Sequence, residues 1–150
     1  MSPTIYFYTL ALLLNPLRDK ISSRRLWLVE ASQQEPIIRV GNLEARRDFT
    51  DVRDVVRAYA LLMEKGRPGE VYNVASGQSH SAQDILDVLT ANSSTQLSIE
   101  VDPDRLRPVE VPEIIGNAAR LMAHTEWQPT IGFEQSIIDI LDDCRSRLST

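Results

Sequence analysis

The chain is poor in the residues that build disulfides and metal centres. Its 150 residues include one cysteine and two histidines. A single cysteine cannot form an internal disulfide, and His80 and His124 have no cysteine or acidic neighbours at the spacing of zinc ligands. We therefore expect no metal site, and we expect Cys144 to be a buried structural thiol on an apolar helix face.

The chain also lacks an apolar run long enough for a membrane span. The apolar stretch Thr4–Leu14 has 11 residues, whereas a transmembrane helix needs roughly 20. A signal peptide begins with basic residues, and no basic residue precedes this stretch. We expect it to be a core element or a hydrophobic remnant within an unmatched N-terminal segment, 1–23, and we expect the protein to be cytoplasmic and not membrane-bound.

Positive charge and glycine are scarce as well. The net charge is −5, which argues against a nucleic-acid partner because nucleic-acid binders usually present a basic face. No three of the six glycines have the spacing of the Gly-x-x-Gly-x-x-Gly loop that binds dinucleotides. The residues therefore predict no cofactor site in this chain.

Periodic patterns predict short strands alternating with helices, which is an α/β fold. The clearest predicted helix starts at a cap formed by Thr50 or Asp51 and ends at Gly66. Its apolar residues fall at helical spacing and predict one buried stripe, formed by Val52, Val55, Val56, Tyr59, Ala60 and Met63. Further along, Ser81 and Asp84 have the spacing of a capping box, and Leu97–Val101 alternates as a half-exposed strand does.

Two groups of arginines stand at the edges of predicted elements. Arg46 and Arg47 follow a Gly-Asn turn, and Arg105 and Arg107 lie in a proline-rich loop. Arginine forks from two loops can together hold a diphosphate. The residues alone leave a second interpretation open, in which Arg46 and Arg47 form exposed ion pairs with nearby aspartates.

Four stretches in order along the chain resemble the GDP-4-keto-6-deoxymannose reductases and the related GDP-mannose 4,6-dehydratases. These families belong to the extended short-chain dehydrogenases/reductases, and the resemblance covers about residues 25–148. The stretches are Val40–Tyr59, with its Arg-Arg-Asp-Phe-Thr-Asp-Val-Arg-Asp run, Gly69–Gly77, Asp102–Pro112 and Trp127–Pro129. Phe at position 49 favours the reductases over the dehydratases. The resemblance implies that residues 24–150 are the nucleotide-sugar-binding, C-terminal portion of such an enzyme.

The resemblance also implies roles for individual residues. Arg47 and Arg107 match the arginines that contact the nucleotide diphosphate, and Glu110 matches the acidic residue that hydrogen-bonds the ribose. Arg46 and Arg105 are weaker candidates for substrate binding, with solvent-facing or supporting roles. Asp48 is expected to anchor the local backbone or to pair with an arginine rather than to act in catalysis.

The departures from the family pattern are equally informative. The family's Rossmann half, with its glycine-rich loop, is missing, and so is the catalytic Tyr-x-x-x-Lys pair. The only lysines are Lys20 and Lys65, and the residues four positions earlier are Pro16 and Leu61. We therefore expect no catalytic residues and no bound cofactor in this chain alone, although complete relatives use NADP or NAD. The expected partner is a GDP-sugar, with a homodimer or a separate cofactor-domain chain as further possibilities.

Overall fold

The computed structural model describes residues 6–9, 29, 35–106 and 111–148 of the chain. Chain contacts divide it into two units. The first comprises Met1–Leu12, Arg47–His80 and Glu113–Phe133, and the second comprises Leu13–Arg46, Ser81–Pro112 and Glu134–Thr150. Both contain strands and helices, so the predicted α/β class is confirmed. The predicted boundary at residue 23 stays a prediction.

The first unit is built on two small sheets. Strand β1 (Tyr6–Thr9) pairs in parallel with β4 (Val71–Val74), with Tyr6 opposite Val71. The other sheet has the order β5-β3-β7, from β3 (Arg46–Asp48), β5 (Ser79–Ser81) and β7 (Glu113–Ile114). The first residue of β3 and the last residue of β5 belong to the second unit. Strand β1 lies within the apolar N-terminal run, which therefore supplies a paired strand to this unit.

Two helices complete the first unit, α1 (Val52–Lys65) and α3 (Ala119–Thr125). Asp51 caps α1 by accepting from the Arg53 N–H at 2.8 Å, and Gly66 ends it, as predicted. The helices pack with β4 around one apolar core, which contains Val55, Ala58, Leu62, Tyr72, Val74, Ala118, Leu121 and Trp127.

The prediction of a buried stripe along α1 is wrong for most of the residues in it. Val52, Val56 and Met63 are 68%, 61% and 76% exposed, and Ala60 is exposed too. The buried residues of the helix are Asp54, Val55, Ala58 and Leu62. The helix therefore has two apolar faces, and the sequence pattern did not show which of them meets the core.

The second unit contains the parallel pair β2 (Ile37–Val40) and β6 (Ser98–Val101), with Ile37 opposite Ser98. Its helices are α2 (Ala82–Ala91) and α4 (Phe133–Leu148), the first residue of which belongs to the first unit. The predicted capping box is confirmed, because the Ser81 and Asp84 side chains each accept from the other's backbone N–H. The buried apolar residues are Val29, Ile38, Val40, Ile85, Leu86, Leu89, Ile137 and Leu141.

Three other predictions for the second unit need correction or lie outside the described residues. All four residues of β6 are exposed, so this strand lacks the buried face that its alternation predicted. Cys144 is half-buried rather than buried. The sequence from about Ser23 to Gln34, before Pro36, is typical of a helix; it lies outside the described residues except for Val29, which is helical and 3% exposed.

Candidate functional site

Asp48, at the end of β3, is a buried carboxylate that holds three segments of the first unit. Its Oδ1 accepts from the Ser76 N–H at 2.9 Å, the Ser76 hydroxyl at 2.6 Å and the Thr50 hydroxyl at 3.3 Å. Its Oδ2 accepts from the Gly77 and Gly116 N–H groups at 2.9 and 3.1 Å. A carboxylate accepts through two oxygens and donates nothing, so it satisfies all five donors at once. The prediction that Asp48 anchors the backbone is confirmed.

Gly116 must be a glycine for this arrangement to form. A Cβ at that position would lie 2.3 Å from the Ala75 Cβ, far inside van der Waals contact. The absence of a side chain lets the segment after β7 approach the segment after β4 closely. Both segments thereby reach the carboxylate of Asp48.

Arg46 and Arg47 precede this anchored residue on β3. Side chains alternate between the two faces of a strand, so Arg47 projects from the opposite face to the Asp48 carboxylate. The Arg47 side chain is half-buried. In the second unit, the Arg46 guanidinium lies 3.5 Å from Asp84 Oδ2, and both side chains are substantially exposed. Arg46 thus has an ion-pair partner, which suits the supporting role expected for it.

The proline-rich loop is attached to the same strand at its C-terminal end. The Arg46 N–H donates to the Pro112 carbonyl at 2.8 Å within the second unit. Strand β7 begins at Glu113, the next residue, and pairs with β3 within the first unit. The side chains of Ser79 and Glu113 add a hydrogen bond beside this pairing.

The other predicted site residues, Arg105, Arg107 and Glu110, belong to the proline-rich loop. Arg107 and Glu110 lie outside the described residues. Arg105 ends a short 3-10 helix, Pro103–Arg105, that Asp102 caps through the Asp104 N–H at 3.1 Å. The proline-rich loop therefore begins with a helical turn. The predicted meeting of Arg47 with Arg107 stays a prediction.

A second buried carboxylate, Asp54 on α1, was not singled out from the sequence. It accepts from the Thr130 N–H and hydroxyl at 2.8 and 2.9 Å and from the Ile131 N–H at 3.0 Å. Arg57 completes the shell at 2.8 Å from Oδ1, and the Arg57 guanidinium also binds the Gln128 carbonyl. The only signal in the sequence was an aspartate next to an apolar position of a helix, which is too common to be specific.

These contacts determine the charge state of Asp54. Burial acts to raise its pKa, but hydrogen bonds from Ile131 and Thr130 and the Arg57 guanidinium outweigh burial. Together they hold the pKa of Asp54 below its usual value. The backbone carbonyl of Asp54 also accepts from the Trp127 indole at 3.0 Å. One residue therefore fixes the turn that follows α3.

Tyr72 occupies the centre of the first core and is fully buried. Its hydroxyl accepts from the Arg67 N–H at 3.0 Å and lies 2.7 Å from His124 Nδ1. With its ring in the core and its hydroxyl bonded to neighbouring groups, Tyr72 is a packing residue of its strand.

The described residues do not form a dinucleotide-binding loop. Strand β4 is followed by one glycine, Gly77, whose φ of 78° serves a turn and whose N–H is taken by Asp48. Such a loop needs several glycines between a strand and a helix that points at the phosphates. The segment that follows β4 therefore does not fit NAD(P).

The described residues contain no group of three or more His, Cys, Asp or Glu side chains able to hold a metal ion. Within the same residues, no helix combines the length and apolar character of a membrane span.

The structure places the chain among known folds. It superposes on the structure of RMD from Pseudomonas aeruginosa complexed with NADPH with a TM-score of 0.86 and 30% identity, over 97% of this chain and 49% of that one. The fold is that of the extended short-chain dehydrogenases/reductases, and the chain corresponds to their C-terminal part.

Sequence comparison narrows this class to one family. The family described as GDP-mannose 4,6 dehydratase matches residues 20–140, so the chain belongs to that family. The GDP-6-deoxy-D-mannose reductase of Pseudomonas aeruginosa is 36% identical over 127 residues, which are 85% of this chain and 42% of that protein. GDP-mannose 4,6 dehydratase 1 of Arabidopsis thaliana is 30% identical over 106 residues, 69% of this chain and 29% of that protein. The chain thus spans less than half the length of these relatives.

Proposed function

We propose that this chain binds the nucleotide part of a GDP-sugar. Arg47 and Arg107 hold the diphosphate, Glu110 accepts hydrogen bonds from the ribose hydroxyls, and Arg46 and Arg105 support them. Arginine and glutamate suit the binding of a nucleotide, because a diphosphate requires fixed positive donors and a vicinal diol requires a carboxylate.

One structural observation supports the proposal in addition to family membership. Strand β3 bears Arg47, and its partner β7 directly follows the loop whose sequence contains Arg107 and Glu110. The Asp48 carboxylate fixes the backbone next to Arg47 by binding donors from distant segments. A side chain on a fixed strand loses less entropy on binding than one on a free loop, so it suits ligand recognition.

Calorimetric titration of the chain with GDP tests this function. We expect Arg47→Ala and Arg107→Ala each to weaken binding by about 10- to 100-fold, because each removes charge-assisted hydrogen bonds worth roughly 1.5–3 kcal/mol. Arg39→Ala is the matched control, since Arg39 is an exposed strand arginine paired with Glu100 at 3.3 Å. GDP binding that is absent, or that survives both site variants, contradicts the assignment.

We further propose that the chain alone has no reductase or dehydratase turnover. Its sequence contains neither the glycine-rich loop nor a Tyr-x-x-x-Lys pair. The assay incubates the purified chain with GDP-4-keto-6-deoxymannose and NADPH and follows NADPH absorbance. Consumption of NADPH above the protein-free background overturns the proposal.

A reductase origin is favoured over a dehydratase origin. The reductase relative is 36% identical over 85% of the chain, against 30% over 69% for the dehydratase relative. A dehydratase-like or another epimerase-like portion is the second candidate, and a non-catalytic dimerisation module is the third. Self-association without any GDP binding favours the module. In each case we propose a cytoplasmic location.

A further inference from the structure

Three aromatic side chains of the first unit pack against one another beside β3. The His80 ring, on β5, lies parallel to the Phe133 ring, with 3.8 Å between centroids and 1° between planes. The Phe133 ring also contacts the Phe49 ring, with 5.7 Å between centroids and 48° between planes. All three residues are half-buried, and they lie outside the apolar core that surrounds Tyr72. This aromatic cluster therefore has a position of its own, next to the strand that carries Arg47.

The cluster holds the imidazole of His80 in a fixed orientation. Aromatic rings usually pair in offset or edge-to-face arrangements, with centroids roughly 4.5–7 Å apart. The His80 and Phe133 rings are closer than that and nearly parallel, so the phenyl ring covers one face of the imidazole. Phe49, from another segment of the chain, supports Phe133 in turn. The imidazole is therefore a flat, supported surface on β5.

The alternation of side chains determines the face of the sheet from which His80 projects. Ser79, the preceding residue of β5, forms a side-chain hydrogen bond with Glu113 on β7. Because β3 lies between these two strands, the hydrogen bond crosses β3 on one face of the sheet. Successive strand residues point to opposite faces, so His80 projects from the other face.

Arg47 is directed to the side of the aromatic cluster. Phe49 comes two residues after Arg47, and the period of two along extended chain sends both side chains the same way. The carboxylate of Asp48, between them, binds donors on the opposite side, whereas Phe49 contacts Phe133. Strand β5 is hydrogen-bonded to β3, and paired strands lie about 4.8 Å apart. The cluster is therefore a neighbour of the Arg47 side chain, which is itself half-buried.

We propose that His80 is a positioning residue for the diphosphate site and acts through Arg47. The imidazole, backed by Phe133, forms a wall along the aliphatic stem of Arg47 and directs its guanidinium at the diphosphate before the ligand arrives. An arginine side chain has many rotamers, and restricting them in advance lowers the cost of binding. Aromatic and apolar surfaces suit such a wall, because an arginine stem packs on them while its charged end stays in water. This inference rests on the proposed function, since it requires Arg47 to bind the ligand.

A double-mutant cycle of His80→Ala and Arg47→Ala, measured by calorimetric titration with GDP, tests the positioning role. His80→Ala removes the wall, and we expect it to raise the dissociation constant about three- to tenfold, the cost of ordering one long side chain on binding. In the Arg47→Ala background the same substitution is expected to change the constant less than about twofold, because the side chain that it orients is gone. His80→Phe keeps a flat ring and is expected to restore the constant to within about twofold of the wild-type value.

His124→Ala is the matched control. His124 is the other histidine of the chain, is also half-buried, and contacts the aromatic ring of Tyr72 with 5.5 Å between centroids. Its substitution is expected to leave the dissociation constant for GDP within about twofold. Phe133→Leu is a second test variant, which removes the backing ring but keeps an apolar side chain, and it should raise the constant by a factor similar to that of His80→Ala. Circular dichroism checks that each variant is folded.

The possible results separate the positioning role from the proposed function. If Arg47→Ala weakens GDP binding but His80→Ala and Phe133→Leu do not, the positioning role is wrong and the nucleotide site stands. Equal losses from His80→Ala with and without Arg47 also overturn the positioning role, because His80 then acts independently of the arginine. If the wild-type chain does not bind GDP, or Arg47→Ala has no effect, the proposed function fails and the positioning role fails with it.

Discussion

Replacing Asp48 by asparagine tests whether one carboxylate holds the β3 region together. The side chain keeps its shape, but one oxygen becomes an NH₂ group that cannot accept. The less costly orientation puts NH₂ at the Oδ1 position, because the hydroxyls of Ser76 and Thr50 can rotate to accept from it. The Ser76 N–H, now 2.9 Å from a donor, is then left without an acceptor.

The magnitude follows from these contacts. A buried N–H without an acceptor costs about 1–3 kcal/mol. The bonds from Gly77 and Gly116 change from charged to neutral and weaken by about 1 kcal/mol each. We expect Asp48→Asn to lower the free energy of unfolding by about 3–5 kcal/mol, a large part of the stability of an ordinary domain.

Urea unfolding at neutral pH, followed by circular dichroism, measures this loss. Asp87→Asn is the control, because Asp87 is exposed on α2 and its carboxylate accepts from the Gln83 amide at 2.7 Å. Its effect should stay within about 0.5 kcal/mol. A loss below about 1 kcal/mol for Asp48→Asn refutes the reasoning, since the five donors would then have found other acceptors.

Three further perturbations have definite expected outcomes. The pKa of Asp54 is held below its usual value. The contribution of Asp54 to stability is therefore present above about pH 4 and is lost as the pH falls through the lowered pKa. Asp54→Asn should lower the free energy of unfolding at pH 7 and flatten the acid limb of the curve of stability against pH. Glu126 ends α3 with a φ of 59°, a conformation that favours glycine, so Glu126→Gly should raise the melting temperature by about 2–6 °C, whereas Glu126→Ala should not. Tyr72→Phe removes the partner of His124 Nδ1 and of a backbone N–H, and a loss of about 1–3 kcal/mol in urea unfolding is expected; an unchanged midpoint would show that water replaces the hydroxyl.

Local signals in the sequence predicted the helices well and their burial less well. Asp51, Gly66 and the Ser81–Asp84 capping box act over a few residues, so their spacing alone identifies the helix ends. The buried face of α1 depends instead on Asp54, whose carboxylate is satisfied by Thr130, 76 positions away. No local pattern shows such a partner, and an aspartate is ordinarily assigned to the solvent face.

The candidate site shows the same difference between what local sequence signals predict and what only the tertiary fold determines. For Asp48 the sequence predicted either a backbone anchor or an ion pair with an arginine, and the structure shows the anchor. The donors of the anchor could not be predicted, since Ser76 and Gly116 are brought to it by the tertiary fold alone. Gly116 gave a faint signal, as a glycine outside any helix end, but only the coordinates show that the Ala75 methyl group excludes a side chain there.

The anchor at Asp48 has a consequence for how the neighbouring position can change. Because the Asp48 carboxylate satisfies donors from three segments, the fold constrains position 48 more tightly than position 47. A library that randomises position 48 should yield almost no folded proteins besides those with aspartate, and one at position 47 should yield more.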